Sequence, residues 1–509
     1  MTIRIQLFLK ICLALAFVSF LSTASFGFAN DSGTSGNRAV APNVLLIAID
    51  DLNDWVGCLG GHPQAQTPNI DRLASRGISF TNAHCQGPIC GPSRASLFTG
   101  RYPHTTGIYL QPKRKLIQKD KKFFKGHVMP EYFAANGYHT MAAGKIFHRY
   151  NTKKAFHEYA GKFEGSGPKP ENEFRFNYQL PDVPWSGTQT DWGAFPDVDE
   201  KMPDHKCADF AELALSRTYE KPFFLSIGFV RPHVPFYVPQ KWFDAFPLDE
   251  IKLPPIRKND LEDVPEISRL IHVLPKYPNL EYLQANDNEQ FRKCVQSYLA
   301  CTKFVDHQVG RVLKALEKSE HADNTIVILF SDHGYHLGEK DRVSKHSLWE
   351  ESTRVPFIIV PARDLIDGFK PGTTSAKPVE LLDIYPTVLE LCGLPAKKTN
   401  EGLSLVPLFT EPKTPWRFAA LTTYAKGNHA LRSSRYRYIR YEDGSEELYD
   451  HEDDPQEWVN LADEPKFQDL KARFSRELPR NEAEYHKACL LYTSPSPRDL
   501  STSRMPSSA

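Results

Sequence analysis

Unbroken apolar runs recur along the chain, and each ends in charged or turn-forming residues. Asn43-Val44-Leu45-Leu46-Ile47-Ala48-Ile49 runs into Asp50-Asp51, Pro222 to Phe229 into Val230-Arg231-Pro232-His233, and Thr325 to Phe330 into Ser331-Asp332-His333-Gly334, with a further run from Val355 to Val360. A strand buried on both faces of a parallel sheet is continuous in this way, whereas a half-exposed strand alternates. Helical patterns lie between the runs. Thr67 to Ala74 reads as a capped helix leading to a short strand over Gly77 to Phe80, and Glu131 to Gly137 predicts a helix followed by a strand over His139 to Ala143. Apolar residues at Val295, Leu299, Val305, Val309, Leu313 and Leu316 predict a long helix from about Gln290 to Lys318 with that face on the sheet, and Leu381 to Leu391 predicts another. The pattern specifies an α/β domain over residues 43–410, built on a large, mostly parallel central sheet flanked by helices. From Pro412 it changes to short alternating strands, over His429 to Arg432, Tyr436 to Arg440 and Glu447 to Asp450, with Asp443-Gly444 as a turn and a closing helix near Pro465 to Leu478. Residues 411–488 therefore read as a smaller subdomain with an antiparallel sheet and a helix.

The polar ends of the strands bring in chemistry. In an open parallel sheet, ligands bind at the carboxyl ends of the strands. Two central strands that each end in aspartate would bring Asp50, Asp51 and Asp332 together there. Converging carboxylates repel unless a cation meets them, and oxygen-rich ligation suggests Ca2+ before a transition metal. A solvated turn or helix cap at Asp50-Asp51 is the alternative. Cys90-Gly91-Pro92-Ser93-Arg94-Ala95-Ser96-Leu97-Phe98-Thr99-Gly100 puts a cysteine at the start of a short helix that closes on glycine. The backbone N–H groups of that turn favour an anion, and Arg94, one turn along, offers a forked cation.

Cys-x-Pro-Ser-Arg followed by Ala-Ser-Leu-Phe-Thr-Gly resembles the signature of the type I sulfatases, whose fold is alkaline phosphatase-like. The resemblance extends from about Asn43 to Asp463, with further motifs in family order. It implies that Cys90 is oxidised by a separate formylglycine-generating enzyme to formylglycine, and that Asp50, Asp51, Asp332, His333 and the modified Cys90 hold one divalent cation. Arg94 would stabilise the hydrated aldehyde. Lys145 and His148, in Gly144-Lys145-Ile146-Phe147-His148, would bind sulfate and assist the formylglycine; His233, in Pro232-His233-Val234-Pro235-Phe236, and Lys345 would contact the sulfate oxygens. Taken alone, Lys145, His148, His233 and Lys345 would pass for surface or structural residues. His346 carries no assignment. Asp332-His333 and the spelling around Lys145 and His233 resemble the iduronate-2-sulfatase subgroup, which implies an exo-acting hydrolase of a sulfated polysaccharide. A phosphate or phosphonate ester hydrolase of the same superfamily and a non-catalytic glycan-binding homologue are the alternatives.

Composition narrows partners and compartment. The 509 residues carry 62 Lys plus Arg against 62 Asp plus Glu, so no general basic field exists for nucleic acid. A small or carbohydrate-like partner fits that balance, and the resemblance implies a sulfated carbohydrate. Residues 1–29, with Arg4, Lys10 and the apolar run Ile11 to Leu21, read as a secretory signal peptide. Its removal would leave a secreted or periplasmic protein without stable membrane insertion. Residues 30–42 read as a linker, Asn151 to Glu200 as pocket-shaping loops, and residues 489–509 as an irregular tail foreign to the fold. The 9 cysteines have no dense spacing, which argues against a disulfide scaffold while leaving room for a bridge or two.

Overall fold

The run that ends in Asp50-Asp51 forms a strand over Asn43–Asp50 (β1), buried at every position, in the middle of an eight-stranded sheet in the computed structural model. The structure describes residues 41–113, 128–148, 154–163, 165–170, 190–273, 280–487 and 489. The other strands of this sheet are Ile78–Phe80 (β2), His139–Gly144 (β3), Glu158–Tyr159 (β4), Phe223–Pro232 (β5), Thr325–Ser331 (β6), Phe357–Val360 (β7) and Thr373–Ser375 (β8). They are ordered β8-β2-β7-β6-β1-β5-β3-β4. β1 runs parallel to both neighbours, with Leu46 opposite Ser226 and Ile328, so all three apolar runs end on one edge. β7 is antiparallel to β6 and to β2, which makes the sheet mixed and mostly parallel, as the sequence predicts.

Side chains of a strand alternate between the two faces, and β1 supplies both cores. Val44, Leu46 and Ala48 pack with the helices Cys90–Thr99 (α2), Met129–Ala135 (α3) and Ile384–Leu391 (α6). Leu45, Ile47 and Ile49 face Pro68–Arg76 (α1), Pro203–Leu215 (α4) and the carboxyl half of Leu280–Lys318 (α5). With 39 residues, α5 starts ten positions earlier than the apolar spacing suggests, and at about 1.5 Å per residue it outruns the sheet. Val305, Val309, Leu313 and Leu316 meet the sheet as expected, whereas Val295 and Leu299 pack instead with Phe236, Trp242 and Phe243 beyond its edge.

Helix α1 is not capped by Thr67, whose hydroxyl accepts the Gly57 N–H at 2.8 Å. Asp306, on α5, accepts from the Ile70 N–H at 2.8 Å and from the Asn69 N–H at 3.1 Å, so a distant carboxylate satisfies the exposed first turn. Four antiparallel strands, Ala420–Thr423 (β9), His429–Arg432 (β10), Tyr436–Arg440 (β11) and Glu446–Asp450 (β12), form the smaller sheet, and Phe474 of Gln468–Glu477 (α7) is buried against it. The sequence pattern misses β9, because Ala420-Leu421-Thr422-Thr423 does not alternate: all of it is buried. Eight cysteines, from Cys58 to Cys489, are unpaired thiols in the described residues.

Residues 1–29, which the sequence reads as a signal peptide, most of those read as a linker, much of the loop region before Glu200 and the tail from residue 490 lie outside the described residues. Among those described, no helix is long and apolar enough to cross a membrane.

Candidate active site

β1 and β6 deliver Asp50, Asp51, Asp332 and His333 to one sheet edge, and the start of α2 brings Cys90 against them; all five side chains are buried. One donor atom each from Asp50, Asp51, Cys90 and His333 lies within 4.8 Å of the others. Asp332 adjoins this group: its Oδ1 is 3.6 Å from His333 Nε2 and accepts the Asp51 N–H at 3.3 Å, while its Oδ2 accepts from Arg94 Nε at 2.6 Å. Cys90 Sγ lies 3.3 Å from Asp50 Oδ1 and 3.3 Å from His333 Nε2.

Two ammonium groups flank the thiol. Lys145 Nζ and Lys345 Nζ are each 3.5 Å from Cys90 Sγ, the first also hydrogen-bonded to Asp50 and the second donating to Asp51 Oδ1 at 2.7 Å. His148 stands beside Cys90 as well and helps to lower its thiol. His233 is half-buried at the turn after β5, its ring Nδ1 2.7 Å from the Val234 carbonyl. The structure thus brings Asp50, Asp51, Cys90, Arg94, Lys145, Asp332, His333 and Lys345 into direct contact, with His148 beside Cys90 and His233 in the turn after β5.

Lys145 reaches this place through a close approach of two strands. Gly144 has φ +78°, and a Cβ there would lie 2.0 Å from the Gly228 carbonyl oxygen of β5. Only glycine lets β3 turn its next residue into the site.

The charges are strongly interdependent. Burial pushes the Cys90 thiol up, but Lys145, Lys345 and His333 outweigh it and hold it well below the ordinary thiol range. For Asp50 the same balance applies: burial and Cys90 raise its carboxyl, and Lys145, His233 and Arg94 bring it below the ordinary value. Burial lowers the His333 imidazole, but the negative charge of Asp332, Cys90 and Asp51 outweighs it and carries it up to about 9. A set dominated by carboxylate oxygens, concentrated enough to draw in two ammonium groups, fits a hard divalent cation.

Arg94 is fixed by the Asp332 carboxylate and by the carbonyl of Ile146 at 3.0 Å, with a further bond to that of Lys145. Its Nη2 is buried, 3.8 Å from Asp50 Oδ1, and has no hydrogen-bond partner among the described residues. A guanidinium held on three sides with one donor unmet is prepared for an added oxygen near residue 90.

The sequence missed several supporting groups. The Ser331 hydroxyl accepts the Leu52 N–H at 3.0 Å and donates to the His333 carbonyl at 2.8 Å, tying the two acidic turns together. Tyr298 of α5 bonds the turn after Asp51. His346 takes a left-handed φ of +72°, donates its N–H to Pro88 at 3.1 Å and meets the Tyr424 hydroxyl at 3.3 Å. His346 stands beside Lys345 in the sequence as a candidate without a role, whereas Ser331 and Tyr298 carry no signal there because they act through the main chain. A second cluster of acidic residues and histidine, Glu350, His451 and Glu457, is already engaged by Arg432 and Arg437 and reads as an ion-pair network.

The family model described as Sulfatase matches residues 42–394, and that described as N-sulphoglucosamine sulphohydrolase, C-terminal, matches residues 338–484. A protein named Sulfatase from Formosa agariphila is 45% identical over 450 residues, 87% of each chain. Iduronate 2-sulfatase from Homo sapiens is 32% identical over 422 residues, 71% of each. Among solved structures, a 2-O GAG sulfatase superposes with a TM-score of 0.65 at 24% identity, covering 86% of this chain and 91% of its own.

Proposed function

The chain belongs to the sulfatase family of sulfuric ester hydrolases, and from that premise we propose that it removes sulfate from a sulfated sugar, using residue 90 as nucleophile once its thiol is oxidised to formylglycine. The observation that carries this reading is the convergence of a buried Cys90 with Asp50, Asp51, Asp332 and His333 on one side and Arg94, Lys145 and Lys345 on the other. Asp50, Asp51, Asp332, His333 and the modified residue 90 would hold one divalent cation, read as Ca2+, which supplies positive charge that favours a deprotonated hydroxyl at residue 90. The hydrated aldehyde supplies two hydroxyls, one to attack sulfur and one whose deprotonation lets sulfate leave.

The chain's own groups do the rest. Arg94 Nη2 donates to the oxygen at residue 90, since its other donors are committed. Lys145 Nζ and Lys345 Nζ, on either side of the nucleophile, neutralise the sulfate oxygens as charge builds on them. His233 or Lys345 protonates the departing sugar oxygen, because an alkoxide leaves poorly. His148, beside residue 90, takes the proton from the second hydroxyl.

An exo-acting, iduronate-2-sulfatase-like specificity is the finer reading. Its support is the sequence likeness around Lys145, His233 and Asp332-His333, together with a relative named iduronate 2-sulfatase. The proposal includes export from the cytoplasm and maturation by a formylglycine-generating enzyme.

Two measurements on one preparation test it. Protein made together with a formylglycine-generating enzyme should show, in the peptide containing Cys90, the mass loss of a sulfur-for-oxygen exchange with two hydrogens removed. It should also release sulfate from sulfated uronic acid fragments far faster than phosphate from the matching phosphate ester. Faster phosphate release would favour the phosphate and phosphonate hydrolases. Unmodified cysteine with undiminished glycan binding by Cys90→Ser would favour a binding protein.

A further inference from the structure

We propose that Tyr298 is a positioning residue for the metal site: its hydroxyl locks the main chain of Asp51 in the conformation that points the Asp51 carboxylate at the cation. The inference rests on the divalent-cation reading above. Asp51 has φ +63°, in the left-handed region that a non-glycine residue enters at a cost and keeps only when its surroundings hold it. In that conformation its Oδ1 lies 3.3 Å from His333 Nε2 and 2.7 Å from Lys345 Nζ, in the middle of the donor group.

The hold comes from the far side of the turn. Tyr298 projects from the long helix α5 and is fully buried. Its hydroxyl donates to the Asp51 carbonyl at 2.7 Å and accepts the Asn53 N–H at 2.9 Å, so one oxygen bridges both ends of the turn and satisfies two buried backbone groups. The ring cannot swing away, because it packs edge-on against Trp55 and Phe236, each with centroids 5.4 Å distant. Asn53 is itself tied down, its Nδ2 donating to the Tyr335 carbonyl at 3.0 Å and its Oδ1 accepting the Trp55 N–H at 3.1 Å.

Removing that single oxygen leaves the Asp51 carbonyl and Asn53 N–H unmet inside the protein, and the cheapest relief is a change of the Asp51 backbone that turns the carboxylate out of the donor group. Partners one step behind a metal's ligands typically contribute roughly 10- to 100-fold in affinity. Because Tyr298 bonds the main chain of the ligand and not its carboxylate, the lower end of that range is expected.

The test is calorimetric titration of Ca2+ into chelator-stripped full-length protein, at a temperature where circular dichroism shows every variant folded. Tyr298→Phe should raise the Kd about tenfold, while Phe236→Leu, which loosens packing on the same ring but breaks no hydrogen bond, should leave it within twofold of the parent. Should Tyr298→Phe be unfolded without metal, the Ca2+ concentration that half-restores folding is read instead, and a requirement well above the parent Kd supports the proposal. An unchanged Kd in Tyr298→Phe, an equal loss in Phe236→Leu, or failure of Tyr298→Phe to fold at any Ca2+ concentration overturns it. A parent protein that binds no Ca2+ removes the metal reading itself, a result distinct from all of these.

Discussion

Arg94 separates charge from geometry within the site. Its guanidinium bonds a carboxylate through Nε and two carbonyls through Nη1, and leaves Nη2 toward Asp50. Lysine keeps the charge but cannot make this fork. Arg94→Lys should therefore lower kcat by roughly 100-fold or more with little change in KM, and cost about 2 kcal/mol of stability through the carbonyls and carboxylate left unmet; steady-state kinetics and urea unfolding check the two parts. Arg94, Cys90, Asp50 and Asp332 were legible in the sequence because each is locally constrained, by a helix start or by the end of a buried strand. Tyr298, Asn53 and Ser331 were not, because their contributions are bonds to main-chain atoms of residues hundreds of positions away or on another strand. A tyrosine in the apolar face of a helix reads as core, and most of Tyr298 is core.

At the scale of elements, the strands were more legible than the helices. The runs that became β1, β5 and β6 are apolar throughout because both faces are covered, and that continuity is visible in the chain itself. Helix α5 was placed short because its first turns face a different partner from its last ones, so no single periodicity spans it. The cap of α1 shows what local pattern cannot carry: Thr67 has the right chemistry, yet Asp306 on α5 takes the position. That substitution has a consequence for stability. Burial raises the Asp306 carboxyl from 3.8 to about 6, against the lowering effect of the N–H groups it accepts. Between these values the native state retains a proton that the unfolded chain has lost, so this contribution is fully present below about pH 4 and declines as pH rises through 6. The difference amounts to about 3 kcal/mol. Asp306→Asn, which keeps an acceptor but cannot ionise, should gain on the parent by about that amount between pH 4 and pH 7, measured as the change in unfolding free energy of the two proteins side by side. A parallel pH dependence would mean that the proton is not held at Asp306.

Across the whole molecule, the smaller sheet and the active site share one support. Arg437 of β11 is fully buried and bonds Glu350, Glu457 and the Leu348 carbonyl, so a cation from the C-terminal sheet secures the segment that directly follows Lys345 and His346. From the other direction, Lys340 reaches Asp260 at 2.9 Å, with its ammonium 5.5 Å from the Trp349 ring and 5.2 Å from that of Tyr449 in β12. Such buried pairs add little over an apolar core when intact, but breaking one side strands the other charge at roughly 3–5 kcal/mol. Arg437→Gln should therefore lower stability by about 3 kcal/mol or more, since Glu457 then keeps His451 and the Glu350 N–H while Glu350 keeps Arg432 and the more distant His451. Because the affected segment directly follows Lys345, the same change should lower kcat on a sulfate ester although residue 437 touches no reacting atom. If the two sheets are held together in this way, tryptophan fluorescence, to which Trp55 and Trp192 outside the small sheet and Trp349 against it all contribute, and far-ultraviolet circular dichroism should report one coincident urea transition in the parent and in the variant. An early, separate transition with unchanged turnover would instead make the C-terminal sheet an appendage that unfolds by itself, and the buried arginine would then serve only that sheet.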